Sequence, residues 1–444
     1  MNYNLLKFLN HSSYLLESEK HILICDPWYE GAVFFEGWDL VSKEFSNKDV
    51  IEYLVSQNKK IHIWYSHEHP DHFSINFLND IEEKHKKLFN FYYKKTTDQR
   101  VVNFLKKKNF EVHEATIGEN IVIENNFNFR IYNYKNSDDS FSITNFLGKK
   151  ILNLNDCTIK NNKDCIYISK LINEKNIDYI FAQFSYATWR PTKKDRSNIA
   201  DNKINILGLI IKFFKPQYLF PFASFIYFSH KENFFMNDSI NFPSKILNSN
   251  LLENSRDKIV FLKPFQEINL NDITNLNLNS INDISIKYWD EKFLSIEKKQ
   301  VIEKKKYNYE DLKILFNNYK LNINKNFFSL NKFLEMIGII KAIIIKTSDT
   351  NKKYKLSYIK GISNTNEIHD IECSSEVLFS IFKYDYGWDS IKISGRFNAN
   401  SDKNFYEFTR FFFFQNRLRN GQSVKNIGVL IIYMLKMIKQ KINF

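Results

Sequence analysis

The sequence predicts an α/β protein built as a layered sandwich, followed by a smaller α+β region. Short apolar or β-branched runs of strand length come in two groups, which lie at residues 14–16, 21–25 and 60–65, and at 121–123, 129–132, 141–144 and 150–153. Helical spacing of apolar residues follows at 75–89 and 204–214, with further strands predicted at 177–184 and 217–222. Groups of strands with helices outside them are typical of a layered α/β sandwich.

The character of the chain changes near residue 270. Residues 269–284 are rich in Asn and Asp, and residues 297–306 form a charge run typical of a solvated helix face. A new pattern begins at residue 307, with helices predicted at 309–319 and 330–336 and strands at 339–345 and 355–360. We therefore expect two domains, a sandwich at 1–270 and an α+β accessory domain of unassigned role at 271–444.

Composition excludes several classes of protein. The 42 Phe and 24 Tyr among 444 residues exclude a disordered chain, since they can bury a large apolar surface. The formal net charge of +13 comes from lysines spread along the whole chain, so we predict no nucleic-acid partner. The sequence shows no leader-like start, no apolar run of about 20 residues and four scattered cysteines without a CxxC pair, which together predict a cytoplasmic protein.

Four candidate metal ligands lie within six residues, directly after the apolar run at 60–65. They are His67, His69, Asp71 and His72, in the string Ser-His-Glu-His-Pro-Asp-His. Residues at i and i+2 of an extended segment point the same way, so His67 and His69 can bind one ion. Asp71 and His72 follow Pro70, which turns the chain, and can face a second ion. Imidazole and carboxylate together suit Zn, Fe or Mn.

This string resembles the metallo-β-lactamase superfamily, which implies the αβ/βα sandwich of that family and a site for two divalent metal ions. The resemblance implies further landmarks after strands. Asp26 fits the Asp that follows the second strand, Asp156 fits the Asp that bridges two metals, and His230 fits a late His ligand. A role for His230 as an ordinary core histidine stays open.

The family's third landmark, a histidine, is missing from this sequence. Residues 131–140 contain no histidine, but they contain Asp138 and Asp139. We favour Asp139 as the ligand because it is nearer the following strand, although both can also be ordinary turn residues. A carboxylate there would move the metal preference from Zn towards Fe or Mn. Without it, the first metal is short of a ligand.

The opening Asn10-His11-Ser12-Ser13 and the Asp26-Pro27-Trp28 segment resemble one branch of the superfamily. That branch contains the lactonase-like and N-acyl-phosphatidylethanolamine phospholipase D-like hydrolases, and the metallo-β-lactamase-like part of CMP-N-acetylneuraminate hydroxylases. The last is the most similar, through segments at 155–158, 183–189 and 221–225, and a Gly-Trp-Asp at 387–389 extends the similarity. No Cys-His pairs of a Rieske domain precede the region. The resemblance places His11 and Asp26 beside the metal ligands as structural residues.

The resemblance implies a hydrolase with a dinuclear site, in which Asp71 and Asp156 are catalytic and a metal-bound hydroxide attacks the substrate. A diiron O₂-dependent monooxygenase acting on a sugar or sugar nucleotide is the alternative, and it would need a separate reductase as partner. A binding protein with a degenerate site is the third possibility. The complete ligand string disfavours it, because polar groups held together near a core are costly unless paired or coordinated.

The substrate and other partners are less defined by the sequence. Trp28, Trp189 and Arg190 lie in loops after family strands and would suit a small-molecule substrate such as an acidic sugar, a sugar nucleotide or a phosphoester. The tail at 424–444 is apolar and then basic, which fits either a helix docked on its domain or contact with a membrane surface. The four phenylalanines at 411–414 belong either to a core or to a homodimer interface.

Overall fold

A computed structural model of the chain describes residues 4–135, 137–252, 255–270, 278–296, 305–424 and 428. Its strands up to residue 270 are β1 (Leu5–Asn10), β2 (Ser13–Glu17), β3 (His21–Cys25), β4 (Trp38–Leu40), β5 (Lys60–Tyr65), β6 (Phe89–Lys94), β7 (Glu111–Ala115), β8 (Ile121–Glu124), β9 (Phe127–Asn133), β10 (Ser140–Phe146), β11 (Lys149–Asn153), β12 (Tyr179–Gln183), β13 (Tyr218–Phe222), β14 (Ile226–Phe228) and β15 (Glu267–Asn269). The α-helices up to residue 294 are α1 (Asn47–Ser56), α2 (Ile75–Asp80), α3 (Arg100–Lys107), α4 (Asn162–Ile172), α5 (Lys193–Phe214), α6 (Pro243–Leu247) and α7 (Leu278–Leu294).

Two mixed sheets form the centre of this part. The first has the strand order β15-β1-β2-β3-β5-β6-β7, and the second has the order β13-β12-β11-β10-β9-β8. Alternate residues of a strand point to opposite faces. Leu23 and Cys25 of β3 therefore pack in the core with the second sheet, whereas Ile22 and Ile24 pack under the helices α1 and α2. Between the sheets, Tyr14 stacks on Phe181 with ring centroids 4.0 Å apart.

Helices cover the outer face of each sheet. Val50 of α1 and Phe77 of α2 are fully buried in the core beneath the first sheet. Ile168 of α4 and Leu207 of α5 are fully buried in the core of the second sheet. The resulting order of layers is helix, sheet, sheet, helix, and this confirms the predicted αβ/βα sandwich.

Up to residue 270 the predicted strands are found, whereas both predicted helices have different ends. In the C-terminal part the helix predicted over 309–319 continues to Phe327, and the strands predicted at 339–345 and 355–360 lie at Ile343–Thr347 and Lys353–Ser357. The helix predicted over 75–89 is broken, because α2 ends at Asp80, Ile81 is extended, and a separate 3-10 helix runs from Glu83 to Leu88. The helix predicted over 204–214 begins eleven residues earlier. Thr192 caps it in a capping box with Asp195, so the polar first half is helical as well.

The C-terminal part is α+β, as predicted. A five-stranded sheet has the order β18-β17-β16-β19-β20, formed by β16 (Ile343–Thr347), β17 (Lys353–Ser357), β18 (Gly361–Asn364), β19 (Ile371–Cys373) and β20 (Asn398–Ala399). The helices are α8 (Tyr309–Phe327), α9 (Leu330–Met336), α10 (Ser375–Lys383), α11 (Gly387–Ser394), α12 (Asp402–Phe411) and α13 (Phe413–Arg419). Phe411, Phe412 and Phe414 are fully buried in this part, so they belong to its core.

The junction between the parts lies later than residue 270. Trp289 of α7 stacks on Phe225 with ring centroids 4.0 Å apart, and its Nε1 donates a hydrogen bond of 2.8 Å to the Leu262 carbonyl. Helix α7 thus packs on the sandwich, although it follows the expected boundary, and the two-domain division stays a prediction. The tail at 425–444, apart from residue 428, and most of the charge run at 297–306 lie outside the described residues. No helix among the described residues is both long and apolar enough to cross a membrane.

Candidate metal centre

The candidate ligands gather at one edge of the sandwich, where strands of both sheets end. The loop that carries His67 to His72 leaves the carboxyl end of β5, and Asp26 follows β3, which pairs with β5 in parallel. Asp156 lies just beyond the end of β11, and Asp139 immediately precedes β10. Since β10 and β11 are paired, both sheets contribute to the same place.

One set of ligands, which we call the His72 site, consists of His11, Asp71 and His72. His72 Nε2 lies 3.4 Å from Asp71 Oδ2, and His11 Nε2 lies 3.5 Å from the same oxygen. Two ligands about 2.1 Å from one ion at a tetrahedral angle are about 3.4 Å apart, so these separations fit shared coordination. All three residues are buried.

The second set, which we call the His67 site, consists of His67, His69 and Asp139. His67 Nε2 lies 2.8 Å from His69 Nδ1 and 3.9 Å from Asp139 Oδ1. Asp156 lies between the sites. Its Oδ2 is 3.4 Å from His72 Nε2, and the ligand atoms of His67, His72 and Asp156 all lie within 4.8 Å of one another. Asp156 therefore lies beside a histidine of each set.

The ligand string at the end of β5, within two sheets covered by helices, decides the fold family. The chain has the metallo-β-lactamase fold. This confirms the resemblance stated from the sequence.

Polar atoms of this metallo-β-lactamase site fit a cation. His72 Nε2, His11 Nε2 and Asp71 Oδ1 are buried and make no hydrogen bond to any described residue. Buried polar atoms are costly without a partner, and clustered imidazole and carboxylate groups suit Zn, Fe or Mn. The donor set therefore fits two divalent metal ions.

Asp26 orients His72. This carboxylate is fully buried and accepts hydrogen bonds from the backbone N–H of Ser66 (2.8 Å), the hydroxyl of Ser66 (2.7 Å) and the side-chain amide of Asn155. His72 Nδ1 lies 3.0 Å from Asp26 Oδ2. With the Nδ1 proton donated to Asp26, His72 Nε2 keeps its lone pair for an ion. Asp26 thus links the end of β3 to the loop that carries His72.

A carboxylate from the C-terminal part lies beside His69. His69 Nε2 lies 3.2 Å from Asp389 Oδ2, which leaves Nδ1 facing His67. Arg419 Nη1 donates a hydrogen bond of 2.8 Å to the same Asp389 oxygen. No motif in the sequence assigns either residue to the site, although Asp389 stands in the Gly-Trp-Asp segment noted above.

The electrostatics of the site also favour cations. Burial would lower the pKa of His72, but the carboxylates of Asp71, Asp156 and Asp26 outweigh it and raise that pKa well above its ordinary value. Burial and the neighbouring Asp156 raise the pKa of Asp139 to about 6. These carboxylates gather negative charge in a buried place, and divalent ions would offset that charge.

The role of His230 as a ligand stays a prediction. Among the described residues, the two clusters of possible ligand atoms, His11 with Asp71 and His72, and His67 with His72 and Asp156, do not include it, and its Nδ1 lies 3.3 Å from Glu232 Oε2. β14, which precedes His230, pairs with β4 outside the two large sheets. His11 lies with Asp71 and His72, and its carbonyl accepts a hydrogen bond from Ala223, directly after β13.

Two of the three predicted substrate-binding residues do not line the cavity that opens beside His69. Trp189 is buried in the interface with the C-terminal part, with ring centroids 5.3 Å from Phe397 and 5.1 Å from Phe405. Arg190 donates to the Trp189 carbonyl and does not line the cavity described below. Trp28 packs edge-on against His11, with centroids 5.3 Å apart, and does line that cavity.

A cavity of about 510 Å³ opens beside His69. Residues of both parts of the chain line it. They include four carboxylates, Glu30, Glu36, Glu68 and Asp389, and six aromatic side chains, Trp28, Phe34, Phe35, Phe73, Phe104 and Tyr386. Two arginines also line it, and both are paired. Arg100 bonds to Asp98 through Nε at 2.9 Å, and Arg419 bonds to Asp389.

The chain is similar in sequence to a curated protein and in structure to several solved proteins. No family model matches the chain. The chain is 21% identical over 252 residues to the cytidine monophosphate-N-acetylneuraminic acid hydroxylase of Danio rerio, an alignment that covers 53% of this chain and 40% of that protein. The chain thus spans less than half the length of this curated relative.

Solved structures similar to the chain include a diiron β-hydroxylase and a possible hydrolase. CmlA from Streptomyces venezuelae is 13% identical with a TM-score of 0.42, covering 61% of this chain and 55% of CmlA. A possible metal-dependent hydrolase from Veillonella parvula is 12% identical with a TM-score of 0.43, covering 60% of this chain and 100% of that one. At these values neither structure decides the reaction.

Proposed function

We propose that the chain is a metal-dependent hydrolase with a dinuclear centre. The observation that carries the proposal is the convergence of His11, Asp71, His72 and Asp156 at separations of 3.4 to 3.5 Å. When bound, two divalent ions would act as Lewis acids that polarise an ester, lactone, amide or phosphodiester and make water nucleophilic near neutral pH.

The residues of the chain would hold and orient these groups. His67, His69 and Asp139 would hold one ion, and His11, Asp71 and His72 the other. Asp156 would offer its Oδ2 atom to the ions, since its Oδ1 already accepts a hydrogen bond of 2.7 Å from the side-chain amide of Gln183. Lys203 Nζ donates at 2.8 Å to the side-chain oxygen Oε1 of Gln183 and so fixes the orientation of that amide.

A diiron oxygenase is the second candidate, and one observation favours it. Asp139, a carboxylate, lies 3.9 Å from His67 at the place where the family has a histidine. An oxygen ligand moves the preference from Zn towards Fe or Mn. This reaction would need a separate reductase as electron donor.

We propose that the substrate binds in the cavity beside His69. Its aromatic wall suits the apolar face of a sugar or of another ring, by stacking. The predicted acidic sugar, sugar nucleotide or phosphoester would need cations there. Both arginines that line the cavity are already paired with carboxylates, so such a substrate would have to compete for them or contact the metal ions.

Metal analysis of the protein as purified tests the proposal. About two Zn per chain, the dinuclear expectation, supports the hydrolase, and a similar content of Fe supports the oxygenase. The double variant His67→Ala/His69→Ala should lose metal and activity while keeping its circular dichroism. His113→Ala, a change at an exposed histidine, is the matched control and should keep both. Activity retained without metal would overturn the metal-dependent reaction.

A further inference from the structure

The C-terminal part reaches into the metal centre through Asp389. Its Oδ2 lies 3.2 Å from His69 Nε2, while the other ring nitrogen of His69 lies 2.8 Å from His67 Nε2. A histidine that donates one ring N–H to a carboxylate is fixed in tautomer and ring orientation, and becomes a better ligand through its other nitrogen. Asp389 therefore contacts His69 as Asp26 contacts His72, with a carboxylate oxygen beside one ring nitrogen.

Arg419 holds Asp389 and also joins both loops that carry the His67 site. Its guanidinium donates to Asp389 at 2.8 Å and to Asp138, and lies 3.5 Å from Glu68. Glu68 lies between His67 and His69, and Asp138 precedes Asp139. The Arg419 side chain is only 5% exposed. One buried cation therefore binds three carboxylates from three separate segments.

The position of Asp389 is fixed by close packing. It lies in the first turn of α11, which begins at Gly387. A Cβ at Gly387 would lie 2.2 Å from the Ser380 carbonyl oxygen, so only glycine allows this approach of α11 to α10. The backbone N–H of Trp388 donates to Gln415 Oε1 at 3.0 Å. These contacts leave Asp389 little freedom to move away from His69.

We propose that Asp389 and Arg419 are positioning residues of the metal centre, so that the C-terminal part is one side of the His67 site. Asp389 keeps the His69 proton on Nε2 and thereby presents Nδ1 to the ion. Arg419 keeps Asp389 and the two loops that carry His67, His69 and Asp139 in their relative positions. The inference rests on the proposed metal centre, but it holds for hydrolysis and for oxygenation alike.

The test is ion binding to metal-depleted protein, measured with Co²⁺ by calorimetry and by the visible absorption of each bound ion. Asp389→Ala should weaken one of two binding events about 10- to 100-fold and leave the other unchanged. Asp389→Asn keeps an oxygen that can accept the His69 proton, and should recover part of the loss. Asp385→Ala, an exposed carboxylate four positions earlier, is the matched control and should bind as the wild type does.

The outcomes separate this inference from the proposed function. Two unchanged binding events in both Asp389 variants would overturn the positioning role while leaving the metal centre intact. Equal weakening of both events, with a lower unfolding temperature of the metal-depleted protein, would also overturn it, because it indicates a purely structural role. Wild-type protein that binds no Co²⁺ would overturn the metal centre itself, and the inference with it.

Discussion

Asp26→Asn is expected to weaken the His72 site without changing any proposed ligand. In the wild type, Asp26 Oδ2 faces the Ser66 hydroxyl, His72 Nδ1 and the Asn155 amide, whereas Oδ1 accepts the backbone N–H of Ser66. If the asparagine oxygen takes the Oδ2 position, its NH₂ group faces the Ser66 N–H, and one hydrogen bond becomes a contact between two donors. The negative charge that holds the His72 proton is lost as well.

The size of the effect follows from these contacts. Hydrogen bonds to a charged group contribute about 1.5–3 kcal/mol each, and breaking a buried charge pair costs about 3–5 kcal/mol. We expect the metal-depleted variant to lose about 3 kcal/mol of unfolding free energy. Loss of an orienting carboxylate weakens metal binding about 10- to 100-fold, which is about 1.4–2.8 kcal/mol at 1.4 kcal/mol per tenfold.

The assay measures the two effects separately. Guanidinium unfolding of the metal-depleted protein gives the stability change, and competition with a chromophoric chelator gives the affinity for each ion. Asp39→Asn is the control, because Asp39 is also fully buried but pairs with Lys43 at 2.6 Å and belongs to neither ligand group. It should cost stability and leave ion affinity unchanged. Unchanged ion affinity in a folded Asp26→Asn protein would refute the orienting role.

Two further predictions follow from the described contacts. Gln183→Ala removes the hydrogen-bond donor to Asp156 and the acceptor of Lys203. The variant should lower the content or affinity of bound metal about tenfold, measured by elemental analysis. An unchanged metal content would contradict the bridging position proposed for Asp156. Burial, with the nearby His21, lowers the pKa of His62 to about 4. The unfolded chain takes up that proton below about 6.5, so stability is lost as pH falls from 6.5 towards 4, by about 3 kcal/mol at 1.36 kcal/mol per unit. His62→Gln should flatten this dependence in metal-depleted protein, and equal slopes in urea unfolding would contradict it.

Much of the fold was predictable because strand propensity is local. The runs at 21–25 and 60–65 match β3 and β5, since apolar β-branched side chains suit a sheet buried on both faces. Helix ends were harder to predict. The polar first half of α5 is helical through the capping box at Thr192, and its apolar pattern alone does not show this.

The candidate ligands could be proposed from the sequence where they are contiguous. His67, His69, Asp71 and His72 come from one loop, so their spacing reveals them. His230 illustrates the opposite case. Its place depends on whether β14 joins the large sheet or pairs with β4, and strand partners of this kind are not encoded in the spacing of a single segment. His11 lies in the turn between β1 and β2, and it comes close to Asp71 because β2 pairs with β3, which in turn pairs with β5.

Two carboxylates that contact candidate ligand histidines, Asp26 and Asp389, come from different parts of the chain. Asp26 and His72 both follow strands of the same sheet, β3 and β5, so the His72 site is built within the sandwich. Asp389 is 320 positions from His69 and reaches it only when α11 docks on the sandwich. A site built by sheet pairing forms with the sheet, whereas a site built across an interface also depends on that interface. Any movement of the C-terminal part would therefore act on the bound metal through the His67 site, because that site includes the contact between His69 and Asp389.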